Sequence, residues 1–141
     1  MAAAVLALLG ALVSAYLLLF KLGVVGRLAC GVAGGCEQVQ ASRWSVLLGV
    51  PVAAYGVFGY LALLAIALYG LQPDELARPR ATRWLAVLSA LGVLFSLYLA
   101  GIELFAIRAI CRWCTASGVI IVALCVVSLA GLLASRRGPA R

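Results

Sequence analysis

The stretch ICRWCTASGVIIVALCVVSLAGLLAS, Ile110 to Ser135, decides how this chain is read, because Arg112 is its only charged residue. About 20 mainly apolar residues are enough for a helix to cross a bilayer, and this run has no polar stripe with which to face water. Three more stretches upstream have the same character: Ala2 to Phe20, ending at Lys21; Pro51 to Leu71; and Leu85 to about Ile107. The fourth span is taken from Cys111 to Ser135. Hydrophobic residues make up 67% of the 141-residue chain and charged residues 11%, whereas a soluble domain has about half and a quarter. The sequence therefore predicts one all-α membrane domain over residues 1–141, a four-helix transmembrane bundle with a long exported loop between the first two spans.

The connections differ in kind. The first, from Lys21 to Val50, is long, and its second half, CEQVQASRWSVLLG, has apolar residues at Val39, Trp44, Val46, Leu47 and Leu48. That pattern predicts a short helix lying on the membrane surface. Pro51 suits the first position of the second span, and Gly49 before it lets the backbone turn. The second connection, QPDELARPRATR, reads as a compact polar turn, and the third is only Arg108 to Ile110. Trp44, Trp84 and Trp113 all fall at segment ends, where an interfacial aromatic belt sits. No Lys or Arg precedes the first span, so it lacks the basic start of a cleavable signal peptide.

Eleven basic residues against four acidic ones give a net charge of +7, but they flank the spans rather than cluster, so no nucleic-acid surface is expected. The side with both termini carries Arg78, Arg80, Arg83, Arg136, Arg137 and Arg141. The other carries Lys21, Arg27, Arg43, Arg108 and Arg112. Six against five places the termini in the cytoplasm by a narrow margin. Histidine is absent, which excludes Ser-His-Asp and Cys-His catalysis and imidazole-ligated metals.

Chemistry falls to the cysteines. Cys30 and Cys36 form C-x5-C in the long loop, with Gly31, Gly34 and Gly35 between them, and Cys111 and Cys114 form C-x-x-C at the start of the fourth span. Both pairs belong to the same face of the membrane. Thiolate is the reactive form of cysteine, and the free N–H groups of a helix N-terminus favour it. A spacing of i, i+3 puts both sulfurs on one helix face. A four-thiolate zinc site wants tighter spacing than x5, so no metal is expected. Permanent structural disulfides fit poorly too, since a C-x-x-C opening a helix has no loop to staple. A thiol–disulfide relay is the reading that uses both pairs. Its terminal acceptor is reached by elimination: without a haem, iron–sulfur or dinucleotide motif, a lipid-soluble quinone (ubiquinone, menaquinone or phylloquinone) needs no further sequence signature.

Gly118 lies one turn below Cys114, where a flat ring could approach the sulfur. Cys125, eleven residues below Cys114 and about 16 Å away at 1.5 Å per residue, is expected only to fill the core. In the third span Ser89, Gly92, Ser96, Ala100 and Glu103 share a face, which permits close helix packing. Glu103 at its outer end either pairs with Arg108 or Arg112 or serves in proton supply or quinone contact.

Taken together, C-x5-C, the Ser42-Arg43-Trp44 run, the Gly-x-Pro sequence at Gly49–Pro51 with Tyr55-Gly56, and C-x-W-C-x-x-S from Cys111 to Ser117 resemble vitamin K epoxide reductase and its bacterial homologues, over roughly Gly26 to Leu133. The four-span oxidoreductase DsbB instead has its C-x-x-C in the first loop. The resemblance implies a four-helix bundle cupping a quinone. It casts Cys114 as the cysteine that meets the quinone, Cys111 as the one that exchanges with the loop, Cys30 and Cys36 as the shuttle pair, and Ser42 as the family's loop serine. It further implies a reduced thioredoxin-like (DsbA-type) exported protein as electron donor. With the sequence stopping at Arg141, that donor is expected to be a separate chain. The cysteine pairs would then face an oxidising compartment outside a bacterial inner membrane. Alternative readings are reduction of vitamin K quinone or epoxide, a four-span small-molecule transporter, or a tetraspan protein with structural disulfides. The transporter fits poorly because the first span carries no acid.

Overall fold

The structure, a computed structural model, describes residues 1–28, 30, 35–73 and 77–136. Gly31 and Gly34, and the basic residues Arg137 and Arg141, lie outside the described residues. Four helices are long and apolar enough to cross a membrane: α1 (Ala2–Lys21), α3 (Val52–Tyr69), α4 with its terminal wide turn (Ala77–Ile107) and α5 (Arg112–Arg136). A fifth, short helix, α2 (Gly35–Ala41), lies in the connection between α1 and α3. Large side chains such as Leu12, Phe58, Leu94 and Val119 are exposed around the bundle, as a lipid solvent allows.

What is buried is small. Ala7, Ala11, Ala67 and Leu124 pack with Tyr60, Leu63, Leu85 and Ile121 into the central core. Gly10 faces Tyr60 so closely that a Cβ would overlap the ring, and a Cβ on Gly56 would lie 2.7 Å from Ser14 Oγ. As numbers rise along α1 they fall along α3, so the two helices are antiparallel. Likewise Gly92 meets Ile121 and Gly118 meets Ser96 between α4 and α5. Small residues let the backbones approach, which in lipid replaces the hydrophobic drive that water would supply. The connection 22–51 and the link 108–111 consequently share one end of the bundle.

Three boundaries differ from those read in the sequence. The third span begins at Ala77, not Leu85. Pro79 is tolerated because it sits in the first turn, where backbone N–H groups have no intrahelical partner. Ala77 and Ala81 are buried, while Arg78, Arg80 and Arg83 are exposed, so the presumed polar turn is largely two turns of amphipathic helix. At the other end of α4, residues Ile102–Ile107 form a wider π-helical turn. The surface helix expected through Leu48 stops at Ala41. A 3-10 turn (Arg43–Ser45) follows, then a two-residue antiparallel ladder of β1 (Val46–Leu47) and β2 (Val50–Pro51).

The reason is the turn between these strands. Leu48 and Gly49 have φ of 53° and 81°, the double left-handed geometry of the tightest hairpins, and no helix can run through it. Pro51 sits one position before α3, as its N-cap residue. Trp44 and Trp84 are exposed as an aromatic belt would have them, whereas Trp113 turns inward, its ring centroid 5.0 Å from that of Tyr16.

Replacing Gly10 by Leu is expected to destabilise the bundle by about 1–3 kcal/mol, the usual cost of overpacking, and to lower the thermal unfolding midpoint in detergent. Gly101→Ala, where a Cβ meets nothing within 4 Å, should leave the midpoint unchanged or slightly raised.

Candidate redox site

The site is built where α4 hands over to α5. Arg108 takes a left-handed conformation, φ 55°, and reverses the chain so that Cys111 arrives as the residue before α5. Its carbonyl accepts the first helical bond, from the Thr115 N–H at 2.9 Å. Its sulfur lies 3.2 Å from the Cys114 N–H. Cys111 thus caps α5 with sulfur where Ser or Asp would ordinarily do so with oxygen. The Cys114 thiol is also hydrogen-bonded to the Cys111 sulfur. That bond, chiefly, holds the Cys111 thiol below the usual thiol range; burial works against it, and the N–H groups of Cys114 and Trp113 reinforce it.

Glu103 completes the arrangement from the π-helical turn. Its carboxylate Oε2 accepts the Cys111 N–H at 3.2 Å, which sets it beside the C-x-x-C. Arg108 and Arg112 are exposed, so the acid faces the C-x-x-C and not those arginines.

The second pair is brought to the first. Cys30 and Cys36 are joined by a disulfide with Cα atoms 6.1 Å apart, while Cys111, Cys114 and Cys125 are free thiols. Cys30, Cys36 and Cys111 are all buried, in one cluster with Leu17, Leu28 and Val39, and Cys114 packs against it. A Cβ on Gly35 would come within 2.6 Å of the Ile110 carbonyl, so only glycine lets the start of α2 settle this close to the C-x-x-C. Cys125 is half-buried, well down α5. Among the described residues, no group of three or more His, Cys, Asp or Glu is gathered as a metal site.

Under this roof lies a cavity of about 640 Å³, lined by Cys114, Glu103, Ser42, Gly118, Tyr60 and Leu91 among others, within the range that holds small organic ligands. Ser42, Gly118 and Glu103, expected as quinone contacts, therefore border the same space as Cys114. Ser42 spends its hydroxyl proton on the Val39 carbonyl, 2.7 Å away, which keeps its oxygen available as an acceptor. Gly118 has a packing duty as well, because its missing side chain admits Ser96 from α4.

Residues 1–129 match the Vitamin K epoxide reductase family. The chain belongs to the vitamin K epoxide reductase family. As a member it is an integral membrane oxidoreductase, in a family that works on disulfides and quinones, and its two cysteine pairs lie near one another as that chemistry requires.

Two contacts that shape the site in this vitamin K epoxide reductase family member escaped the sequence. Lys21 looked like an ordinary basic flank of the first span, yet its ammonium donates to the Gln40 carbonyl at 2.5 Å and to Ser45 Oγ at 2.6 Å. It thereby ties the C-terminal end of α2 and the 3-10 turn, both part of the cavity's roof, to α1. Tyr60 was not singled out in the sequence, yet its hydroxyl donates to the Ser117 carbonyl at 2.6 Å, fixing α3 against α5 one turn below Cys114. A polar tip inside an apolar span was the available signal for Tyr60. For Lys21 there was none, since a snorkelling lysine has the same sequence appearance.

Two outcomes are expected. Lys21→Met should speed amide hydrogen exchange across Gln38–Ser45 by tenfold or more, the equivalent of losing a hydrogen bond to a charged group, about 1.5–3 kcal/mol, with α3 and α5 unchanged. Cys114→Ala should move the ultraviolet thiolate titration of Cys111 upward, since its main stabilising donor is gone.

Proposed function

We propose that this chain is a quinone-dependent thiol–disulfide oxidoreductase that carries electrons from a reduced thioredoxin-like (DsbA-type) exported protein, through Cys30–Cys36 and then Cys111–Cys114, to a membrane quinone. The observation that carries this reading is the burial of both cysteine pairs in one cluster directly over a cavity that Cys114 lines. A reduced partner dithiol attacks the Cys30–Cys36 disulfide and leaves oxidised. One of the two loop thiolates then attacks Cys111 of the oxidised C-x-x-C and frees Cys114. The electrons rest on Cys111 and Cys114 as two thiols, which close to a disulfide again when they are given up. A quinone, when bound, supplies the two-electron acceptor and departs as quinol.

The residues fit such a ring. Gly56, Gly59 and Gly118 give flat walls, while Glu103, Ser42 and Cys114 put polar atoms at the roof end. Leu91 and Leu97 line the cavity and are also well exposed, so the space opens sideways between α3 and α4, toward where a bilayer would deliver an isoprenoid. Disulfide exchange belongs in an oxidising compartment, which favours the cysteine pairs outside a bacterial inner membrane and both termini in the cytoplasm. Disulfide formation in exported proteins would be the outcome.

The test is quinone reduction by detergent-purified protein, followed by absorbance with a reduced thioredoxin-like donor. Cys111→Ala and Cys114→Ala should each abolish turnover, and Cys125→Ala should retain most of it. Full activity in Cys114→Ala would sink the relay.

A further inference from the structure

We infer that Glu103 is a catalytic proton carrier, taking the Cys114 thiol proton and delivering it to the quinone oxygen. This rests on the quinone reading above. Three observations meet at this residue. Its side chain is only 9% exposed, although an ionisable group within a membrane helix is costly to bury. Its carboxylate is held in place by the Cys111 N–H, beside the Cys114 thiol whose electrostatics it influences. It also lines the same cavity as Cys114. A purely structural cap for the Cys111 N–H needs an acceptor but no ionisable group.

The backbone supports the placement. In the π-helical turn Ile102–Ile107 the helix is locally wider than α, a departure that recurs at functional positions. The Ala109 N–H closes back on the Glu103 carbonyl at 3.2 Å. Both ends of residue 103, carbonyl and carboxylate, are therefore anchored to the link that carries the C-x-x-C.

The step balances. Cys111 and Cys114 lose two protons and two electrons and form one S–S bond; the quinone gains both electrons and both protons and becomes quinol. Glu103 handles one of those protons, from Cys114 Sγ to its own carboxylate oxygen and on to the cavity. A carrier fixed on the C-x-x-C turn and facing the same cavity as Cys114 removes the need for a water chain.

The experiment has two arms. In the first, infrared difference spectra compare dithiol and disulfide forms of the C-x-x-C in quinone-free protein, with Cys30 and Cys36 replaced by Ser. A change in the protonated-carboxyl band, lost in Glu103→Gln and kept in Glu37→Gln, is expected; an unchanged carboxyl region in the wild-type pair overturns the inference. In the second, quinol formation by pre-reduced protein is timed. Glu103→Gln, whose amide oxygen can still accept the Cys111 N–H, should be slowed about 100-fold, the usual scale of a lost general acid–base group, and Glu103→Asp should recover part of that. A Gln variant at more than half the wild-type rate overturns the inference. Should wild-type protein reduce no quinone at all, the functional reading fails, and the infrared arm still decides whether Glu103 exchanges a proton with the cysteines.

Discussion

The N-terminus of α5 is the constraint on which the rest depends. A helix starts with four N–H groups that have no partner in the helix, and here they begin inside a buried cluster rather than in water. Leaving such a group unsatisfied away from solvent costs about 1–3 kcal/mol. The chain settles this with its redox groups: the Cys111 sulfur takes the Cys114 N–H, and Glu103 takes the Cys111 N–H. The atoms that complete the helix are therefore the atoms that react. A cap sulfur at this position is also stabilised as a thiolate by the same N–H groups and by the helix dipole, so one arrangement serves folding and chemistry together.

The roof over this helix end is held at two points. The disulfide between Cys30 and Cys36 reaches the start of α2, and Lys21 holds its end through the Gln40 carbonyl. In the proposed relay the first opens and closes; the second does not. When exchange opens the loop disulfide, the Lys21 bonds still fix the far end of α2, and the contact of Gly35 with Ile110 keeps its near end beside the C-x-x-C. A loop thiol freed by exchange then stays close to Cys111, where effective concentration rather than diffusion sets the rate.

Much of this was legible in the sequence because its signals were long or chemically specific. Four apolar runs gave four spans, and the pairing of C-x5-C with a helix-opening C-x-x-C singled out the four cysteines that the fold gathers. Boundaries failed where local chemistry outranked composition. Pro79 and three arginines read as a turn, yet proline costs nothing in a first helical turn. Val46 and Leu47 read as helix, yet Leu48–Gly49 forces a hairpin. The partners of Lys21, Tyr60 and Ser45 could not be read, because the contacts that join them to other elements span 19 to 57 residues of sequence.

The small-residue face of α4 shows how stability and access are divided. Ser89, Gly92, Ser96, Ala100 and Glu103 form one stripe, and a stripe of that kind ordinarily seals two helices together. Only its inner part does so: Gly92 meets Ile121, and Ser96 meets Gly118 across the α4–α5 seam. Ala100 and Glu103, at the outer end, border the cavity, which Gly92 and Ser96 line as well. Close approaches join α1 to α3 and α4 to α5, and α3 meets α4 at Gly70 and Ala81, at the end of the bundle away from Cys114. A bundle sealed along every seam would have no room for a lipid-soluble acceptor, and a bundle loose along every seam would not hold Cys111, Cys114 and Glu103 in register. Keeping the α3–α4 contact at the far end leaves room for the cavity beside Cys114.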